Sequence, residues 1–135
     1  MLTLLAALAL AAAPEAFDPA VGLWKTETRG GVVEITRCGS WICGRLVTSD
    51  GLRANPAIKD VNNSSAALRS RPLKGLTILN GFSKDGAGWS GGRIYNADDG
   101  KTYSARVTPA GSNQLKVRGC IFVPLCKTQT WTRIR

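Results

Sequence analysis

Apolar residues recur at every second position through most of the chain, in short runs separated by glycine, aspartate and asparagine. That period places successive side chains on opposite faces of an extended strand, and the interruptions supply turn residues. The pattern predicts strands over residues 21–28, 32–38, 41–48, 75–82, 88–95, 101–107, 114–120 and 126–134. Asp98-Asp99-Gly100 is the sharpest hairpin signal among the connections. Strands joined mostly by tight turns suit an up-and-down meander, which removes its exposed edges by closing. The expected fold is therefore all-β, an eight-stranded antiparallel up-and-down barrel with one long loop carrying a short helix. A barrel of this size encloses packed side chains or one small ligand.

Alternation also assigns faces. Leu115 and Val117 fall opposite Lys116 and Arg118, and Tyr103, Ala105 and Val107 fall opposite Thr102, Ser104 and Arg106. In the fifth strand, strict alternation puts Trp89, Arg93 and Tyr95 on one face, an arginine among aromatics.

One connection, residues 49–74, is too long for a turn. Its second part runs on through residue 75 as DVNNSSAALRSRPLKG, from residue 60. Ser64 stands where it could cap a short helix in SSAALRS. Pro72 holds Arg71 out of the α region. A polar, cationic loop on a β scaffold is where a site is expected, since loops carry function more often than scaffolds do. The candidate ligand-binding set is Asp60, Asn62, Asn63, Arg69 and Arg71 from the loop, with Trp89, Arg93 and Tyr95 from the fifth strand. Arginine grips carboxylate or phosphate with two parallel hydrogen bonds, and an aromatic ring supplies apolar contact. The competing reading makes Arg69 and Arg71 a salt-bridged plug at one end of the barrel, and Arg93 a stacked surface residue.

Composition adds a compartment. Residues 2–13, LTLLAALALAAA, form an apolar run too short to span a bilayer, ending in a small-residue cleavage pattern. This predicts a signal peptide over 1–13, a linker over 14–20 and a single barrel domain over 21–135, with no membrane span and a periplasmic or secreted location. No basic residue precedes the apolar run, which departs from the usual leader. Cys38 and Cys43, and Cys120 and Cys126, each bracket a turn, so each pair is placed to bridge a hairpin. Zinc is the alternative for four cysteines, but these spacings exceed the usual two-residue knuckles and export implies oxidising surroundings. Two structural disulfides are expected, each worth about 2 kcal/mol on the chain-entropy model.

The formal net charge is +9, and after Asp99 there are seven basic residues and no acid. Such a surface attracts polyanions. Neither a recognition-helix pattern nor an aromatic-basic RNA signature accompanies it, so nucleic acid is not the expected partner. A small anionic or amphiphilic ligand, or an anionic envelope polymer, is. The chain has no histidine, so its thiols lack an activating base. Asp60 is a candidate base, with Asn62, Asn63, Arg69 and Arg71 as oxyanion or carboxylate contacts, but a single loop aspartate more commonly stabilises a turn. No catalytic residue, metal or cofactor is expected, and Asp98-Asp99-Gly100 reads as a turn rather than a calcium loop. A monomer is expected, and the rival to ligand binding is an envelope structural or adaptor protein with a packed interior and a basic outer wall. An open apolar cavity with arginine at its mouth would favour the binder. An interior filled by Trp24, Trp41, Trp89 and Trp131 would favour the rival.

Two terminal motifs carry a resemblance. Gly22-Leu23-Trp24 opens the first strand, and Trp131-Thr132-Arg133 closes the last. Lipocalin-like (calycin) barrels start with a similar Gly-x-Trp packed beneath an arginine of the final strand. The resemblance implies structural roles for Gly22, Trp24, Trp131 and Arg133 and a first strand paired with the last. Over residues 21–133 the chain also resembles the bacterial domain-of-unknown-function family 2147. The shared segments are CGSWICGRLV at 38–47, DVNN at 60–63, LRSRPLKGL at 68–76, GWSGGRIYNADDGKTYSA at 88–105, VRGC at 117–120 and CKTQTWTR at 126–133. SSAA after DVNN departs from that family's usual linker. The resemblance implies a small exported bacterial protein and carries no activity, cofactor or catalytic residue with it.

Overall fold

The computed structural model describes residues 18–135, so the predicted signal peptide and residues 14–17 of the linker lie outside the described residues. Nine strands follow the alternating runs: β1 (Gly22–Lys25), β2 (Val32–Cys38), β3 (Trp41–Thr48), β4 (Thr77–Asn80), β5 (Ser83–Asp85), β6 (Gly88–Asn96), β7 (Lys101–Pro109), β8 (Gln114–Phe122) and β9 (Leu125–Arg133). All pairings are antiparallel, in the order β4-β3-β2-β1-β9-β8-β7-β6-β5, and β4 also pairs with β6, which closes the sheet. The first strand meets the last through Trp24 opposite Arg133 and Lys25 opposite Thr132. β4 and β5 occupy one position around the barrel, because both lie along β6. The fold is a closed eight-stranded lipocalin-like barrel with one strand broken in two.

The break has a local cause. Gly81, at φ 77°, kinks the chain after β4, and the next side chain, Phe82, turns fully into the core. A methyl at Gly92 on β6 would overlap the Phe82 ring, so the glycine makes room for it. Residues 84–85, expected in the following turn, are thereby returned to the sheet as part of β5, and the reversal falls at Gly86. The first strand is shorter than its pattern: Arg29 and Gly30 both take positive φ, and residues 26–31 form the turn into β2.

The helices also shift. The expected helix in SSAALRS is a single 3-10 turn, Ala66–Leu68, preceded by Ser65 with no side-chain cap bond, so Ser64 caps nothing there. A five-residue helix forms earlier, α1 (Asp50–Ala54), whose first turn is capped by the Ser49 hydroxyl accepting from the Leu52 N–H at 3.2 Å. Leu52 buries its side chain, and Arg53 bonds back to Asp50.

Trp24, Trp89 and Trp131 are buried at one end with Phe82, Ile35, Val107 and Leu115, and together they close the barrel base. Trp41 does not join them. It is 53% exposed, on the β2–β3 hairpin bridged by Cys38–Cys43. The second disulfide, Cys120–Cys126, bridges the β8–β9 hairpin at the opposite end.

The base is sealed by polar contacts that reach into the predicted linker. Asp18 is buried and accepts from the Ala20 N–H (2.9 Å), Trp89 Nε1 (3.3 Å) and Lys84 Nζ (3.0 Å). Trp24 Nε1 donates to the Ala20 carbonyl at 2.9 Å. Residues 18–20 therefore belong to the packed barrel. Arg133 lies 4.4 Å from the centre of the Trp24 ring and donates to the carbonyls of Ser112 (2.7 Å), Val21 (3.0 Å) and Pro19 (2.7 Å). A methyl at Gly22 would strike the Arg133 guanidinium, which explains the glycine two residues before the tryptophan.

Arg133→Ala removes a cation–π contact and three charge-assisted bonds at once, so urea unfolding is expected to show a loss of about 2–4 kcal/mol. Arg133→Lys should recover less than half of it, because an ammonium cannot span three carbonyls while stacked on the indole.

Candidate functional site

The loop is built around a carboxylate. Asp60 is 1% exposed and accepts from Tyr95 Oη at 2.5 Å, Asn63 Nδ2 at 2.9 Å and Arg71 Nε at 2.9 Å. A bridge pairs Lys59 with Pro72, and the Asp60 N–H donates to the Arg71 carbonyl at 2.9 Å, so the two halves of the loop run side by side. The Arg71 guanidinium also lies 5.2 Å from the Tyr95 ring centre. Arg69 Nε donates to the Asn63 carbonyl at 2.8 Å, and Asn63 Oδ1 accepts from the Ser65 N–H at 2.8 Å. Asn62 Nδ2 reaches the carbonyls of Ala97 and Asp98, clipping the loop to the β6–β7 hairpin. Gly100, at φ 70°, completes the clip, since a methyl there would overlap the Asn62 carbonyl.

Six of the eight sequence-predicted residues thus come together: Asp60, Asn62, Asn63, Arg69, Arg71 and Tyr95. Among the described residues no buried side-chain nitrogen or oxygen lacks a partner, so this network is satisfied from within. Burial pushes the Asp60 carboxyl up, but the bonds from Tyr95, Asn63 and Arg71 and the Arg71 charge outweigh it and hold the group below its usual range. Burial and the neighbouring Asp60 carboxylate raise the Tyr95 phenol above its ordinary value.

Trp89 and Arg93 stand apart. Trp89 pairs with Val107, but Gly92 pairs with Ala105, so β6 carries one extra residue at a bulge where Gly91 takes φ 69°. An extra residue inverts the alternation beyond it. Trp89 therefore faces the core of the base, while Arg93 is exposed on the outer wall with Tyr95 on the same side, and the single face expected for all three does not exist.

The other half of the barrel is open. A cavity of about 810 Å³ lies above the tryptophans, with Trp131 lining it and walls that include Val33, Leu46, Ile94 and Val117. The loop lends it Leu73, and Tyr95 borders it. Its polar wall comes from β9. Lys127, Gln129 and Trp131 share one face, opposite Gly119, Val117 and Leu115 of β8. Gly119, facing Lys127, leaves the space that a side chain would fill. Trp131 Nε1 donates to Gln129 Oε1 at 3.0 Å, whereas Lys127 has no acidic partner within 4 Å among the described residues. At the rim Arg29 Nε meets Asp98 at 2.9 Å, and Tyr103 donates to Asp99. An arginine does stand at the mouth, and it is Arg29 rather than Arg69, Arg71 or Arg93.

Lys127, Gln129, Tyr103 and Arg29 were not among the sequence candidates. The first two were within reach: once Trp131 is placed inside, a period of two forces Lys127 and Gln129 inside with it. Arg29 carries no such signal, because its position depends on a turn with positive φ.

The family model for an uncharacterized protein conserved in bacteria, DUF2147, matches residues 22–133. The chain belongs to this family. No curated protein matches it. Among solved structures the DUF2147 chain is similar to protein HP1028 from the human pathogen Helicobacter pylori, described as belonging to the lipocalin family. The TM-score is 0.76 at 27% identity, covering 85% of this chain and 82% of that one. The DUF2147 barrel is thus lipocalin-like in topology as well as in its terminal motifs.

The Asp60 network has a pH signature. Its folded carboxyl lies below the ordinary 3.8, so its contribution is complete above that value and is lost as pH falls through the folded one. Tyr95 lies above the ordinary 10.0, so its contribution holds below that value and is lost as pH rises through the folded one. As pH falls below 3.8 the parent protein should lose more stability in urea than Asp60→Asn does, and the gap between the two should narrow as pH falls toward the folded value. Asp60→Ala, which strands three donors, is expected to cost about 3 kcal/mol at neutral pH.

Proposed function

We propose that this protein is exported and binds one small amphiphile with an anionic headgroup in the open half of its barrel. The observation that carries the reading is Lys127, an exposed cation without an acidic partner among the described residues, standing where the wall of a largely apolar cavity meets its mouth. A volume of about 810 Å³ falls within the range of small-molecule sites, ~300–1,000 Å³. In this reading the apolar part of the ligand rests on Val33, Leu46 and Val117 while its headgroup meets Lys127, with Arg29 at the rim. The loop set acts by holding the wall: Asp60, Asn62, Asn63, Arg69 and Arg71 fix the segment that carries Leu73 and keep Tyr95 in place. Trp89 and Arg93 take no part. Export is supported by two formed disulfides and by the predicted leader, and no described helix is long and apolar enough to cross a membrane.

The structural or adaptor reading draws its support from the base, where three tryptophans fill the interior. It leaves the open half without a use, which favours the binder.

Native mass spectrometry of protein taken from its own periplasm tests the reading directly, and a retained mass of a few hundred daltons is expected. In solution, decanoate should alter the fluorescence of Trp131 on the cavity wall. Lys127→Met should weaken decanoate about tenfold, the value of one charge-assisted bond, and leave decanol within about twofold. Equal weakening of both probes, or no binding of either, would sink the proposal.

A further inference from the structure

The β8–β9 hairpin ends in five consecutive apolar residues, Ile121, Phe122, Val123, Pro124 and Leu125. Ile121 is 68% exposed, Phe122 61%, Val123 75% and Leu125 54%. Large apolar side chains grouped in water mark an interaction surface. The hairpin is held in this position. Cys120 and Cys126 are bridged at its root, and Phe122 pairs with Leu125 beyond them. Ile121, Pro124 and Leu125 also border the cavity, so the tip is one lip of its mouth.

Charge says what meets this lip. The segment from residue 100 to the C-terminus contains seven basic residues and no acid. Arg133 and Arg135 lie at the base, and the other five belong to β7, β8 and β9, with Lys101 and Lys127 nearest the tip. Lys101 stands beside Ile121, and Lys127 follows the disulfide. On the outer wall Arg106 and Arg118 are register partners, with Lys116 opposite Thr108 next to them. Like charges facing each other across a ladder work against the fold, so they are not there to stabilise it. Of this group Arg106 alone has an acid within 4 Å among the described residues, Asp85 at 3.4 Å. The acids at the far side of the mouth are engaged, Asp50 by Arg53, Asp98 by Arg29 and Asp99 by Tyr103.

We propose that the Ile121–Leu125 tip inserts into the interface of a lipid bilayer with anionic headgroups, drawn there by the cations of β7–β9. An apolar tip with a basic surround fits such a surface on both counts. A second copy fits worse, because a symmetric contact through the tip would bring Lys101 and Lys127 of both copies together. A free polyanion would use the cations and leave the apolar tip in water. The inference rests on the preceding reading for its purpose: the docked mouth faces the bilayer, and an amphiphile enters the cavity from the leaflet without crossing water.

The test uses the full mature chain with phosphatidylcholine vesicles, with and without phosphatidylglycerol. Binding is expected only where phosphatidylglycerol is present. Phe122→Asp combined with Val123→Asp changes two exposed residues that do not line the cavity, so melting temperature and decanoate affinity in solution should hold. Vesicle partitioning should fall about tenfold or more. Arg118→Glu should weaken binding to the anionic vesicles by several-fold. Undiminished partitioning of the double variant overturns the proposal. So does sedimentation showing that the parent dimerises through the tip and ignores vesicles. Vesicle binding without decanoate binding would overturn the cavity reading and leave the tip standing, and the reverse result would do the opposite.

Discussion

A guanidinium lying on an indole holds the two ends of this chain together. Arg133 comes from the last strand and Trp24 from the first, and a closed barrel requires those strands to meet. The stack alone is a modest interaction, of order 1 kcal/mol. Its effect is multiplied because the same guanidinium ties down the carbonyls of Pro19, Val21 and Ser112. Gly22 has no side chain because Arg133 passes through that space, and Asp18 and Ala20 dock onto the neighbouring tryptophans. With one end closed by Trp24, Trp89 and Trp131, the other can remain open without endangering the fold.

The long loop solves a different problem. Residues 49–76 leave the sheet after β3 and return to it at β4, and Leu52 is the one apolar side chain they bury. What anchors them is a carboxylate buried by its own donors. Isolated, Asp60 would be expensive to bury; surrounded by a phenol, an amide and a guanidinium, it becomes the point on which the loop is registered against β6.

Much of this was legible in the sequence, and the misses share a cause. Residues 32–38 and 41–48 were read to the residue, because both strands alternate cleanly and end at glycine or polar turns. Gly22, Trp24 and Arg133 were assigned because the two terminal motifs resemble those of lipocalin-like barrels. Failure came wherever one residue broke the period. The bulge at Gly91 reversed the face of Arg93 and Tyr95 relative to Trp89, and the kink at Gly81 split a strand. Neither leaves a mark in an alternation count, because a glycine inside a strand pattern reads the same whether it bends the chain or not. The Asp60 network was visible as a list of residue types without a geometry. That Tyr95, thirty-five positions away, supplies its shortest bond follows only from the closed sheet.

The position of Gly119 sets what kinds of change this barrel can absorb. It lies directly across from Lys127, its ring of interior side chains is thinned there, and the space it leaves is bounded by Ile94 and Tyr103 from neighbouring strands. An ordinary methyl would meet those neighbours at 3.5 Å and 3.8 Å, in plain van der Waals contact. The vacancy is therefore adjustable. Alanine at this one position would fit without displacing a neighbour and would take volume from the chamber. The volume of the chamber is thus open to change at a strand position that the fold itself leaves unconstrained.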